Sequence, residues 1–141
     1  MVHKLMKTVI LMVIALAALA VFVSMRTDAD ELTDGTSFGL GNVPEELVVE
    51  RRVGEPVRFS LQENPSTGYM WEASFNTTEC EVVLKRRGSD DNTICGAPGK
   101  LDVTVTSRVY TPVRVEFYYR RPWEKKARPW KTLRLIVNQR L

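Results

Sequence analysis

From Glu46 to the C-terminus the chain alternates apolar and polar residues with a period of two. Val57, Phe59 and Leu61 alternate with Arg58 and Ser60. Tyr69, Trp71, Ala73 and Phe75 share one face of the next segment, and Cys80, Val82 and Leu84 follow. Leu101, Val103 and Val105 alternate with Asp102 and Thr104. Val113, Val115, Phe117 and Tyr119 alternate with Arg114, Glu116 and Tyr118, and Leu133, Leu135 and Val137 close the series. With a shorter run at Leu47–Val49, the pattern predicts an all-β domain of about seven short strands, each with one apolar face. Strands with one wet face pack as an antiparallel β-sandwich of the immunoglobulin-like kind. No stretch of this region carries a helical stripe, and no internal repeat is present.

The N-terminus obeys a different rule. Thr8 to Met25 is an uncharged run of Val, Ile, Leu and Ala behind Lys4 and Lys7. Basic residues followed by an apolar run describe an export signal, and the run is also long enough for a membrane-anchoring helix. Lys4 and Lys7 favour a cytoplasmic N-terminus with the rest of the chain sent across. Residues 1–26 therefore read as a hydrophobic helix, either a signal peptide or a membrane anchor. Residues 27–43, acidic and rich in Gly, Ser and Thr, read as a linker, and 44–141 as the folded domain. Either fate of the N-terminus makes the domain an exported one, with membrane contact through the N-terminal segment alone.

Charge narrows the function. Lys4, Lys7 and Arg26 account for the formal net charge of +3, so basic and acidic residues balance from residue 27 onward. The high overall pI is thus no argument for nucleic-acid binding. The balance is uneven along the chain: Arg108 to Leu141 holds ten basic residues against Glu116 and Glu124. A basic end of this kind steers an acidic partner or simply forms a solvated face. The single histidine, His3, precedes the apolar run. The domain accordingly has no imidazole for a Ser-His or Cys-His pair, nor for the commonest zinc site. Asp90 and Asp91 read as solvated loop acids rather than an acid-base pair. An enzyme is not expected, and neither is a metal or cofactor.

Three connections are richer than turns require. Glu63 to Tyr69 contains Asn64-Pro65-Ser66-Thr67-Gly68, in which Pro fixes φ and Gly supplies positive φ ahead of a core Trp71. Gly88 to Lys100 contains Gly96-Ala97-Pro98-Gly99, a stretch of backbone with almost no side chain, able to enter a narrow cleft. Arg120 to Lys131 reads RRPWEKKARPWK, with two Arg-Pro-Trp units. Trp and Arg are the residues most enriched at binding hot spots. Trp123 is expected at the binding surface, and Trp130, beside the last strand, folded back onto the sandwich edge.

Taken in order, Asn64 to Trp71, Gly96 to Gly99 and Arg121-Pro122-Trp123 resemble the three loops of the chagasin family of cysteine peptidase inhibitors. That family carries an NPTTGY-type loop followed by Trp, a GxGG loop, and an RPF or RPW loop. The resemblance covers roughly Glu46 to Asn138. It implies an immunoglobulin-like sandwich whose three loops form a wedge in the active-site cleft of a papain-like cysteine peptidase, bound reversibly by a monomer. The implied contacts are Asn64, Pro65, Ser66, Thr67, Gly68 and Tyr69, then Gly96, Ala97, Pro98 and Gly99, then Arg121, Pro122 and Trp123. Thr67 would approach the catalytic centre, Gly68 and Tyr69 would shape its loop, and Trp123 would brace a cleft wall. Pro98 stands where the family pattern has glycine. It removes an N–H donor and restricts Ala97, a change that bears on selectivity. The competing function is an extracellular adhesion or assembly module, for which a sandwich with a Trp-rich loop suffices.

Two cysteines remain. Cys80 and Cys95 in an exported domain suit a disulfide that ties a strand to the base of the Gly96–Gly99 loop, or else a buried thiol and an exposed one. Asn76-Thr77-Thr78 forms a glycosylation sequon.

Overall fold

The computed structural model describes residues 2, 32, 34–88, 98–124 and 126–141. The chain divides into two compact units, Met1–Asp30 and Glu31–Leu141. The apolar run Thr8–Met25, with its expected helix, lies outside the described residues. Among the described residues no helix is long and apolar enough to cross a membrane.

The second unit is two four-stranded sheets. Its strands in chain order are β1 Thr36–Phe38, β2 Glu46–Arg51, β3 Pro56–Glu63, β4 Met70–Phe75, β5 Cys80–Arg87, β6 Gly99–Ser107, β7 Val113–Arg120 and β8 Lys131–Gln139. One sheet has the order β1-β3-β6-β5 and the other β2-β8-β7-β4. The seven strands that alternation predicts are β2 to β8. Their inward positions form the core: Val57, Phe59 and Leu61 face Val113, Val115, Phe117, Leu133 and Leu135, all essentially dry. Phe59 and Phe117 meet edge to face, 5.7 Å between centroids, a favoured aromatic geometry. Burying each of these side chains contributes about 1.5–3 kcal/mol.

Two features differ from expectation. Thr36–Phe38 falls within the stretch that composition marks as linker, yet it pairs with Phe59–Leu61 and lays Phe38 against Phe59 at 6.2 Å. The sandwich is also not wholly antiparallel. β1 runs parallel to β3, and β2 runs parallel to β8 from Glu46↔Arg134 to Arg51↔Gln139. Alternation specifies which face of a strand is buried and is blind to its direction. An edge strand whose partner lies far along the chain has no hairpin to impose antiparallel pairing.

The Cys80–Cys95 bridge is corrected. Cys80 is a free, buried thiol, and it pairs across the sheet with Ser107 at one end of the nine-residue β6. Gly99, at the other end, is ~26 Å away at 3.3 Å per residue. Position 95 precedes Gly99 by four residues, a reach of at most ~14 Å. Disulfide formation needs Cα atoms within about 7 Å. Burial, reinforced by the neighbouring Glu79 carboxylate, pushes the Cys80 thiol above its ordinary pKa against the opposing pull of Arg108, so it stays a protonated core residue.

Candidate functional site

The pairing registers bring three chain reversals to one end of the sandwich. Glu63 faces Gly99, Arg87 faces Lys100, Met70 faces Arg120 and Tyr119 faces Lys131. The connections β3–β4, β5–β6 and β7–β8 therefore leave from the same edge. Asn76 of the sequon is exposed at the opposite end, between β4 and β5.

The first connection is a single 3-10 turn, Pro65–Thr67, ended by Gly68 at φ +80°. Pro65 occupies the helix start, where a missing N–H costs nothing. The turn closes on itself: Thr67 N donates to Asn64 O at 3.1 Å, Gly68 N to Pro65 O at 2.9 Å, and Thr67 Oγ1 to Asn64 O at 2.7 Å. Ser66 Oγ donates to Asn64 Oδ1 at 2.6 Å, and Asn64 bridges Tyr69 across the base. Pro65, Ser66 and Thr67 are exposed while their backbone is held. Such a loop pays little ordering entropy on binding.

Its foundation is buried and polar. Glu63 continues the inward phase of Val57, Phe59 and Leu61 and is 1% exposed. Its carboxylate accepts from Trp71 N at 3.3 Å and pairs with Arg86 Nε at 3.1 Å. Arg86 also donates to Trp71 O at 2.8 Å, and Trp71 Nε1 donates to Gln62 O at 2.9 Å. Tyr119, likewise buried, accepts Asn64 N at 3.0 Å. Burial raises the Tyr119 phenol above its ordinary pKa, although the Asn64 N–H pulls the other way. Each polar group that the loop buries thus has a partner, as burial demands.

The third connection leans on the first. Arg121 Nε donates to Thr67 O at 3.2 Å, and its guanidinium lies 4.8 Å over the Tyr69 ring, within cation–π range. The Trp123 indole covers Gly68 so closely that a Cβ there would sit 2.4 Å from Trp123 Cη2. The glycine thus serves two needs, a left-handed backbone and a flush surface for an indole. Trp123 itself is 70% exposed. Pro122 is half-buried between Arg121 and Trp123.

Of the second connection, Pro98 is exposed and Gly99 is buried, while Gly96, Ala97 and Cys95 lie outside the described residues. A Cβ on Gly99 would meet Arg87 O at 2.9 Å and the Pro65 ring at 3.9 Å. The base of this connection is therefore packed beside the first loop.

Trp130 differs in degree from expectation. It does lean on the sandwich, its ring 5.8 Å from Tyr69 and 5.7 Å from Tyr119, while its backbone N–H donates to Tyr119 O at 3.0 Å. It nevertheless stays 63% exposed. Trp130, Tyr69, Tyr119 and Trp71 make one aromatic stack running from solvent to core. Trp130, Glu63, Arg86 and Tyr119 are the parts of this end that the loop motifs do not include. The cue for Glu63 was a charged residue on an inward phase. Among the described residues no three His, Cys, Asp or Glu side chains are grouped to hold a metal ion.

The family model described as Chagasin family peptidase inhibitor I42 matches residues 50–137. The chain belongs to the chagasin family. No curated protein matches it by sequence. Solved structures share the fold. A cysteine protease inhibitor from Entamoeba histolytica, EhICP2, superposes with a TM-score of 0.60 at 19% identity, covering 79% of this chain and all of its own. The ICP of Leishmania mexicana gives 0.54 at 24%, covering 82% of this chain and 99% of its own. PbICP-C, solved in complex with falcipain-2, gives 0.55 at 19%, covering 75% of this chain and all of its own. In this chagasin-family domain the matched region takes in all three connections.

Proposed function

We propose that the chain is a reversible inhibitor of papain-like cysteine peptidases, which it blocks by inserting the β3–β4 connection, flanked by the other two, into the active-site cleft. The observation that carries this reading is the joining of Asn64–Tyr69 to Arg121–Trp123 through Arg121, Tyr69, Gly68 and Trp123, on top of a buried polar base. Two solved relatives of the same fold bear on the target class, one described as a cysteine protease inhibitor and one seen with falcipain-2.

The geometry suits inhibition. A peptidase cuts a bond that it holds in near-attack geometry. A 3-10 turn is not the extended segment that such attack requires. With Thr67 O engaged by Arg121 and Asn64 O by two donors, the turn fills space near the nucleophile and keeps its carbonyls occupied. Pro65, Ser66, Thr67 and Tyr69 supply the contact surface of this turn, with Gly68 letting Trp123 close over it. Gly96, Ala97 and Pro98 enter beside it from the buried base at Gly99, and Arg121, Pro122 and Trp123 brace the facing wall. Trp71 belongs to the foundation rather than the contact. The apolar run Thr8–Met25 supports an exported location, where such a domain meets extracytoplasmic peptidases.

The test is inhibition of papain by the purified chain, with Trp123→Ala beside it. The reading predicts dose-dependent, dilution-reversible loss of papain activity, weakened at least tenfold by Trp123→Ala with no change in the thermal midpoint. Equal inhibition by both proteins would remove the third connection from the site.

A further inference from the structure

A groove of about 1010 Å³ runs beside the wedge, between the β7–β8 connection and the outer face of its sheet. Tyr69, Arg121, Arg128, Trp130 and Lys131 line the end next to the loops. That volume is at the top of the range for small-molecule sites and far beyond a single ion; it suits a stretch of polypeptide. Only part of its positive charge is neutralised by carboxylates of the chain. Arg58, Arg108, Arg120, Arg134 and Arg140 each face a carboxylate of the chain. Arg128 and Lys131 line the groove and Lys126 lines the adjoining hollow beside Trp123; none of the three pairs with a carboxylate among the described residues. Arg121 shares Glu124 at 3.3 Å, and Glu45 and Glu46 close only the far end, where Glu46 pairs with Arg134. Trp130 adds a broad ring left largely in water.

We infer that this groove receives an acidic loop from the rim of the target peptidase's cleft, so that the chain selects peptidases by rim charge. The inference rests on the proposed inhibitory function. Charge complementarity and position favour this occupant. The groove adjoins Tyr69 and Arg121, so whatever cleft takes the wedge brings its rim alongside. Asp34, from the chain's own acidic stretch, does not compete. Asp34 is held by Arg58 at 3.1 Å and Leu32 O by Arg51 at 3.0 Å, both toward the opposite end of the sandwich. Unpaired cations at an interface rim act chiefly on the rate of encounter, and the exposed Trp130 with the half-buried Tyr69 holds the captured loop.

The experiment measures association and dissociation rate constants of the full chain with a panel of papain-like peptidases whose cleft rims range from acidic to basic. At about 50 mM salt the association rate rises with rim acidity over at least tenfold, and at about 500 mM the spread collapses, as screening demands. The double variant Lys126→Glu with Arg128→Glu reverses the ranking while leaving dissociation rates and thermal midpoint in place. Association rates that ignore rim charge, or a ranking untouched by the charge reversal, overturn the inference and leave the inhibitor reading standing. Failure to inhibit any member of the panel overturns the inhibitor reading itself.

Discussion

Replacing Gly68 with alanine places a methyl group 2.4 Å from Trp123 Cη2 and 3.0 Å from Cζ2, at a backbone φ of +80°. Two costs follow, and they are separable. The left-handed conformation costs an L-residue about 1–2 kcal/mol, equivalent to a drop in thermal midpoint of about 4–8 °C per kcal/mol for a domain of this size. The steric overlap is relieved differently. Trp123 is 70% exposed, so the indole swings away instead of straining the core, and stability registers little of it. Inhibition registers it fully. A tryptophan anchor at an interface contributes about 2 kcal/mol or more, which is a ~30-fold rise in inhibition constant at 1.4 kcal/mol per decade. Gly68→Ala, Trp123→Ala and the double variant separate the two by calorimetry and by titration of papain. The single variants lose similar inhibition, only Gly68→Ala loses stability, and the double variant loses far less inhibition than the sum because both changes remove one contact. Gly68→Ala inhibiting within threefold of the parent would refute the reasoning.

Other consequences follow from the base of the wedge. Tyr119→Phe strands Asn64 N, now bonded to the phenol at 3.0 Å; the loss expected in urea unfolding is about 1–3 kcal/mol. Glu63→Gln breaks a pair whose other member, Arg86, is 40% exposed. Its cost therefore falls below the 3–5 kcal/mol of a fully buried pair, at about 1–3 kcal/mol, and amide exchange at Trp71 speeds up. Asp102 supplies a pH dependence. Partial burial pushes its pKa up, but hydrogen bonds from Arg87 and Ser60, with Arg87 and Lys85 charges, bring it below the ordinary carboxylate value. A pKa lower in the folded state contributes stability above the unfolded value and loses it as pH falls through the folded one. Thermal midpoints should decline through that acid range in the parent and less steeply in Asp102→Asn.

Much of the sandwich is written in period-two alternation, which is why β2 to β8 follow from Leu47, Val57, Trp71, Cys80, Leu101, Val113 and Leu133 and their inward neighbours. β1 does not, because three residues hold no period; its existence depends on Phe38 finding Phe59. Strand direction at β1 and β2 is likewise absent from the pattern. Glu63 was legible only as an oddity, a carboxylate in an inward position, since its partner Arg86 sits on a strand of distant sequence. The loop motifs announced Asn64–Tyr69 and Arg121–Trp123, yet their contact through Gly68 and Trp123 required the registers of β4, β7 and β8. The cysteines misled for the converse reason. Fifteen residues of separation look short until a strand carries Cys80 to the opposite end of the sandwich.

The central claim is that this end of the domain closes a papain-like cleft without being cut. Titrating active papain with the purified full-length chain tests it most directly. The account predicts stoichiometric or near-stoichiometric loss of activity, recovery on dilution, and an inhibitor that mass spectrometry shows intact after hours of contact. Full papain activity at micromolar inhibitor, or cleavage of the chain between Asn64 and Tyr69, would contradict it.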